Sequence, residues 1–264
     1  MGLRVGLFVI IAGFFLYEGY AYGGRLGIGL HAGYGVIEYS EKKLQDGGHV
    51  TSESLQPLII TGISTEYTIN KDNNIFINLT VDWMKGLKSK EGWREDGLKT
   101  QEDDIDTFGQ FYDLRFGYKD TIEDIYYRFY ISGGWDGLSI IRDDFMTKGV
   151  HYDDAIKEDF SLVRGGVGGG IGFKAGRWAL DGRLAYAYYP YAMIKEDGLS
   201  SHGRGTCLDS GIGIAYQIED RLSLYTGFSY TLIELNEDDA VEGAVFSEST
   251  MEIINGIVNL TYSF

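Results

Sequence analysis

Few residues in this chain are equipped for proton transfer. There are four histidines in 264 residues, and a histidine acts as a general base when a carboxylate polarises its ring. His202 is the only histidine between residues 191 and 206. Ser200 stands two positions before it, and the nearest acids are Glu196 and Asp197. It could accept a proton only if a carboxylate from another segment reached it. Asp104-Ile105-Asp106 is the only Asp-x-Asp between residues 85 and 106, within the acidic run Glu102 to Asp106. Such a run is solvated by default.

The remaining constellations carry less chemistry. His151-Tyr152-Asp153-Asp154, with Asp143 and Asp144 before it, could hold a divalent cation through carboxylates. No spaced cation-binding loop accompanies these residues, and no metal site is assigned. Gly165 to Gly172 lacks the Lys-Ser/Thr ending of a phosphate loop and falls on a strand pattern, where its glycines make room for side chains crossing an interior. Cys207 is a lone thiol and is not assigned as a nucleophile.

These residues sit in an unusual composition. The chain has 38 Gly, 20 Tyr, 14 Phe, 2 Pro and 1 Cys, with a formal net charge of −16. One cysteine excludes an internal disulfide, and the acidity repels nucleic-acid phosphate. A hydrophobic content of 44% is too high for a disordered acidic chain. Arg4 followed by the apolar run Val5 to Leu16, with Gly19 and Ala21 at cleavage-site spacing, reads as a cleavable signal peptide over residues 1–21. No later stretch is long and apolar enough for a transmembrane helix.

From residue 22 to 264 the hydrophobic period is two. Leu26, Ile28, Leu30, Ala32, Tyr34 and Val36 alternate with glycines and His31. Ten such segments occur, near residues 26–36, 59–69, 75–83, 112–118, 125–135, 163–173, 178–188, 208–218, 222–232 and 254–264. Short polar turns, such as Gly176-Arg177, join them at one end. Long polar, acidic segments at 40–56, 85–106, 139–160, 191–206 and 236–251 join them at the other. That is an all-β, antiparallel, up-and-down arrangement.

The face opposite the apolar one carries Glu66, Asp82, Asp113, Arg115, Arg128, Asp136, Arg164, Asp181, Arg183 and Asp209. Burying these in a soluble sandwich is costly, whereas a barrel lumen solvates and pairs them. Paired charges would fill a narrow barrel and block it as a pore. The expectation is a transmembrane β-barrel of about ten strands, with acidic extracellular loops and both termini on the periplasmic side.

The chain resembles bacterial outer-membrane β-barrels. Its last strand, Asn259-Leu260-Thr261-Tyr262-Ser263-Phe264, is similar to the terminal signal of that class, which implies recognition by the barrel-assembly machinery. Strand count and loop order resemble the omptin family of outer-membrane endopeptidases. Asp106-Thr107 leading into Phe111-Tyr112-Asp113-Leu114 is similar to the start of the family's fourth strand, and Glu38 stands where the family has a substrate-binding glutamate. The resemblance implies a bound lipopolysaccharide, an acidic groove for basic peptides contacted by Glu38 and Asp106, and a catalytic set drawn from Asp104, Asp106 and His202. The family's Asp-x-His pair is absent from this chain.

The functional expectation is an outer-membrane barrel whose acidic surface binds a cationic partner, or lipopolysaccharide through a divalent metal. An omptin-like endopeptidase cleaving at basic residues is the alternative, and a narrow channel a second one. No organic cofactor is expected, and no nucleic acid.

Overall fold

A computed structural model describes residues 25–45, 48–69, 74–196, 199–237 and 248–264. The expected signal peptide lies outside the described residues. The strands are β1 (Arg25–Gln45), β2 (Gly48–Thr68), β3 (Ile75–Gly86), β4 (Ser89–Glu95), β5 (Leu98–Ile122), β6 (Ile125–Thr147), β7 (Val150–Tyr152), β8 (Ile156–Ala175), β9 (Trp178–Glu196), β10 (Leu199–Glu219), β11 (Leu222–Glu237) and β12 (Glu248–Ser263). All pairings are antiparallel, and β12 pairs back onto β1, so the sheet closes. β4 occupies the position of β3 between β2 and β5, and β7 that of β8 beside β6. Twelve strands therefore make a ring of ten staves.

The stave of β3 and β4 is broken by chain chemistry. Residues 55–57 of β2 face residues 87–90, and Pro57 has no N–H to give to the ladder. Its carbonyl still accepts a bond from the Leu87 amide at 2.7 Å. At the hairpin tips, Asp96-Gly97 and Lys148-Gly149 have φ of 48°, 82°, 51° and 80°. Two left-handed residues in succession form the tight turn whose twist matches that of the flanking strands.

The segments expected as long loops are largely paired strand. Residues 40–45, 48–56, 98–106, 139–147 and 191–196 continue the ladders upward as tall hairpins. β5 has 25 residues, whereas a tilted strand crosses the hydrocarbon in about 9–11. The upper half of the barrel thus stands above the membrane as a head. Residues 238–247, within the expected loop 236–251, lie outside the described residues.

The outer face shows where the bilayer lies. Leu30, Tyr34, Leu114, Phe129, Ile131, Val167, Ile171, Leu184, Ile212, Phe228 and Val258 are exposed. Aromatic pairs bracket this apolar band. Tyr118 with Tyr127, Trp178 with Tyr216, and Tyr262 with Phe264 lie at the lower rim, and Tyr112 with Trp135 at the upper one. An exposed apolar belt with an aromatic girdle at each edge is a membrane-spanning surface.

The interior has two storeys. The lower is polar, with a cavity of about 580 Å³ that reaches from the Arg25 and Ser263 rim to Met84, Phe111 and Ile233. Its charges are paired as expected: Arg164 with Asp136 at 3.1 Å and Asp113 at 3.4 Å, Arg183 with Asp209 at 3.2 Å, Arg128 with Asp181 at 3.4 Å. Asp82 pairs with His31 and Glu66 with Lys119, rather than with arginines. The glycines of β8 have the expected role: side chains at 168, 170 and 172 would collide with Tyr130, Arg128 and Tyr126.

The upper storey corrects the expectation of a wholly polar lumen. There the inward positions are apolar, and Ile37, Leu58, Met84, Ile105, Leu138, Ile140, Phe160, Leu162, Ile233, Leu235, Met251 and Ile253 form a buried core. Above the bilayer the inward side chains meet one another inside the closed ring, and apolar ones fill it by ordinary burial. This core forms the floor of the head, above the cavity.

Candidate functional site

The sequence-derived catalytic candidates all face outward. On β5 the odd residues Asp103, Ile105 and Thr107 point inward and are buried, so Asp104 and Asp106 lie on the outer surface. Asp104 is held by Lys90 and by Lys88 at 3.3 Å. Lys90 first, and Lys88 with it, keeps its carboxyl below the usual carboxylate range. His202 is exposed on β10, its ring 5.3 Å from that of Tyr191. Between β5 and β10 the ring passes through β6, β8 and β9. The structure therefore does not bring His202 to Asp104 or Asp106.

The acidic residues around the β6–β8 hairpin do converge. β6 bulges opposite Asp103, Asp144 has a left-handed φ of 53°, and residues 153–155 interrupt the stave above β8. His151 lies 3.4 Å from Asp144 and 3.3 Å from Asp153. Lys88 reaches Asp143 at 2.8 Å and Asp144 at 3.6 Å, besides Asp104. The lysine thus supplies the cation that these carboxylates need. Exposed pairs of this kind contribute little stability, and no metal is assigned here.

A different arrangement surrounds Glu38. The outward row of β12 runs Phe264, Tyr262, Leu260, Val258, Gly256 and Ile254, one tilted crossing of the hydrocarbon, and the next outward residue is Glu252. On β1 the row ends at Tyr34 and Val36, and the next residue is Glu38. On β11 it ends at Tyr230 and Leu232, followed by Glu234. Three adjacent staves thus place a carboxylate at the first outward position above the apolar band. Glu38 and Glu252 are register partners. Like charges directly opposite repel, and among the described residues neither forms an ion pair. Glu252 accepts a hydrogen bond from the Tyr230 hydroxyl at 3.1 Å.

Sequence reasoning missed one histidine that does meet a carboxylate. His31 of β1 and Asp82 of β3 face the lower lumen with Nε2 and Oδ1 2.5 Å apart. They are 51 residues apart in the chain, so no short motif reveals them. The available signal was the lumen-facing Gly62 on the stave between them.

No protein-family model matches the chain, and no curated protein sequence matches it. Among solved structures, the outer-membrane protease OmpT from Escherichia coli superposes with a TM-score of 0.65 at 10% identity, covering 91% of this chain and 97% of that one. The translocator domain of the autotransporter NalP from Neisseria meningitidis gives 0.39 at 15% identity, over 90% and 88%. Ail, the attachment invasion locus protein of Yersinia pestis, gives 0.33 at 13% identity, over 91% and 99%. The fold is that of a bacterial outer-membrane β-barrel, similar to the omptin barrel. With its apolar belt, it places the chain in the outer membrane.

Proposed function

We propose that this protein is a closed surface barrel that holds a divalent cation on Glu38 and Glu252, with Glu234 beside them, and through that cation binds the phosphates of lipopolysaccharide. The observation that carries the reading is the direct opposition of Glu38 and Glu252 at the first level above the hydrocarbon. Two facing carboxylates that have no basic partner among the described residues are relieved by a shared hard cation, for which oxygen ligands are the natural donors. At that level the cation's open positions face lipid head groups.

The closed upper storey supports a binding surface over a narrow channel, because an apolar layer separates the cavity from the head. The omptin-like alternative, cleavage at basic residues, draws support from the fold alone. Glu38 and Asp106 stand on separate staves of the outer surface and line no common groove. The terminal strand, ending in exposed Phe264, is proposed as the segment read by the barrel-assembly machinery.

Lipopolysaccharide retention tests the reading. Folded barrel is immobilised, loaded with lipopolysaccharide in magnesium and washed with or without a chelator. Retention that depends on magnesium and falls at least about tenfold in Glu38→Gln/Glu252→Gln supports the proposal. Equal retention with chelator, or in the double variant, contradicts it.

A further inference from the structure

A second group of acids lies sealed inside the head. Arg142 of β6 is almost wholly buried above the apolar core. Its Nε donates to Glu91 Oε2 at 2.5 Å, its Nη2 to Glu41 Oε2 at 3.0 Å, and its Nη1 lies 2.8 Å from Glu158 Oε2. The rings of Trp93 and Tyr39 lie 5.3 and 5.7 Å from the guanidinium carbon. One arginine thus joins β1, β4 and β8 to β6.

Among the described residues a fourth acid makes no hydrogen bond to that arginine, although it lies within reach of its charge. Asp103 of β5 is the register partner of Glu91, and both have 0% exposure. Its Oδ2 accepts from Trp93 Nε1 at 2.7 Å and Gln101 Nε2 at 3.4 Å, while its Oδ1 is buried with no hydrogen-bond partner. Among the described residues, the groups turned toward this pair are Tyr39 and Glu41 from β1, Ser52 and Ser54 from β2, Trp93 from β4, Gln101 from β5, Arg142 from β6 and Glu158 from β8. Lys88 and Lys90 bind the outward Asp104 instead.

Asp103 and Glu91 face each other out of contact with water. Two carboxylates on facing strand positions do not both ionise in such a place. Arg142 bonds both oxygens of Glu91, at 2.5 and 3.4 Å. Asp103 is left to take the proton.

We propose that Asp103 carries a proton in the closed head, opposite Glu91, and that this proton is an acid-tightened latch holding the extracellular hairpins together. Burial first, and then the charge of Glu91, pushes the Asp103 carboxyl up to about 7. In an opened head it returns to roughly 3.9. The closed form therefore binds the extra proton between those values. The contribution is complete below about pH 4, declines as pH rises, and is gone above about pH 7.

The test is amide hydrogen exchange of the head hairpins in folded wild-type barrel and in Asp103→Asn, from pH 4.5 to 8. The ratio of the two cancels the intrinsic pH dependence of exchange. Wild-type opening, relative to the variant, is expected to rise with a limiting slope of about tenfold per pH unit and level off near pH 7. In Glu91→Gln the levelling moves to lower pH. A flat ratio overturns the proposal. If Asp103→Asn does not fold, difference infrared spectroscopy of the wild type decides: a protonated carboxyl that persists at pH 6 is expected, and its absence overturns the latch.

Discussion

His31 Nε2 and Asp82 Oδ1 stand 2.5 Å apart on strands that are not neighbours, and Gly62 of β2 lies between them. The pair closes across the intervening stave because that stave offers no side chain. A Cβ at position 62 would collide with both partners and with the Val81 carbonyl.

Gly62→Ala is therefore expected to separate the pair and destabilise the barrel by about 1–3 kcal/mol, the usual range for overpacking. Gly92→Ala is the matched control, since a Cβ there meets nothing within 4 Å. Denaturant midpoints of the refolded proteins measure both. A Gly62→Ala midpoint equal to that of the control would show that the lumen yields freely.

Arg142 and Lys88 separate buried from exposed charge. Each contacts three carboxylates, but Arg142 is buried and Lys88 lies on the surface. Arg142→Met removes a cation shared by three buried glutamates and is expected to cost about 3–5 kcal/mol. Lys88→Met should leave the unfolding midpoint unchanged within error. Protease cutting of the head hairpins, with the lower barrel intact, is the expected signature of Arg142→Met.

Planar-bilayer recording tests the closed interior. The cavity of about 580 Å³ ends against the apolar layer containing Leu58, Leu138, Leu162 and Ile233. Reconstituted barrel is expected to show no unitary conductance. Steady single-channel currents would mean that this layer does not close the lumen.

The membrane-spanning half was legible in the sequence because two solvents impose opposite polarities on alternate residues. Leu30 and His31 are neighbours that answer to lipid and to water. Above the bilayer that contrast fades, since Asp103 faces inward while Asp104 and Asp106 face water. The hairpins therefore read as acidic loops, and only the inward row of Ile37, Tyr39 and Ile105 could have marked them as strand. Arg142, Glu41, Glu91 and Glu158 were invisible as a group because their union depends on which staves stand side by side. Glu38 was found through a family likeness, but the structure turns it outward, opposite a Glu252 that no short motif could supply.

Calcium titration calorimetry of the folded barrel tests the cation site proposed at Glu38 and Glu252. A saturable binding event is expected in the wild type that weakens at least about tenfold in Glu38→Gln and in Glu252→Gln, and that persists in Asp104→Asn. No saturable binding by the wild type, or an isotherm unchanged in both glutamine variants, would contradict it.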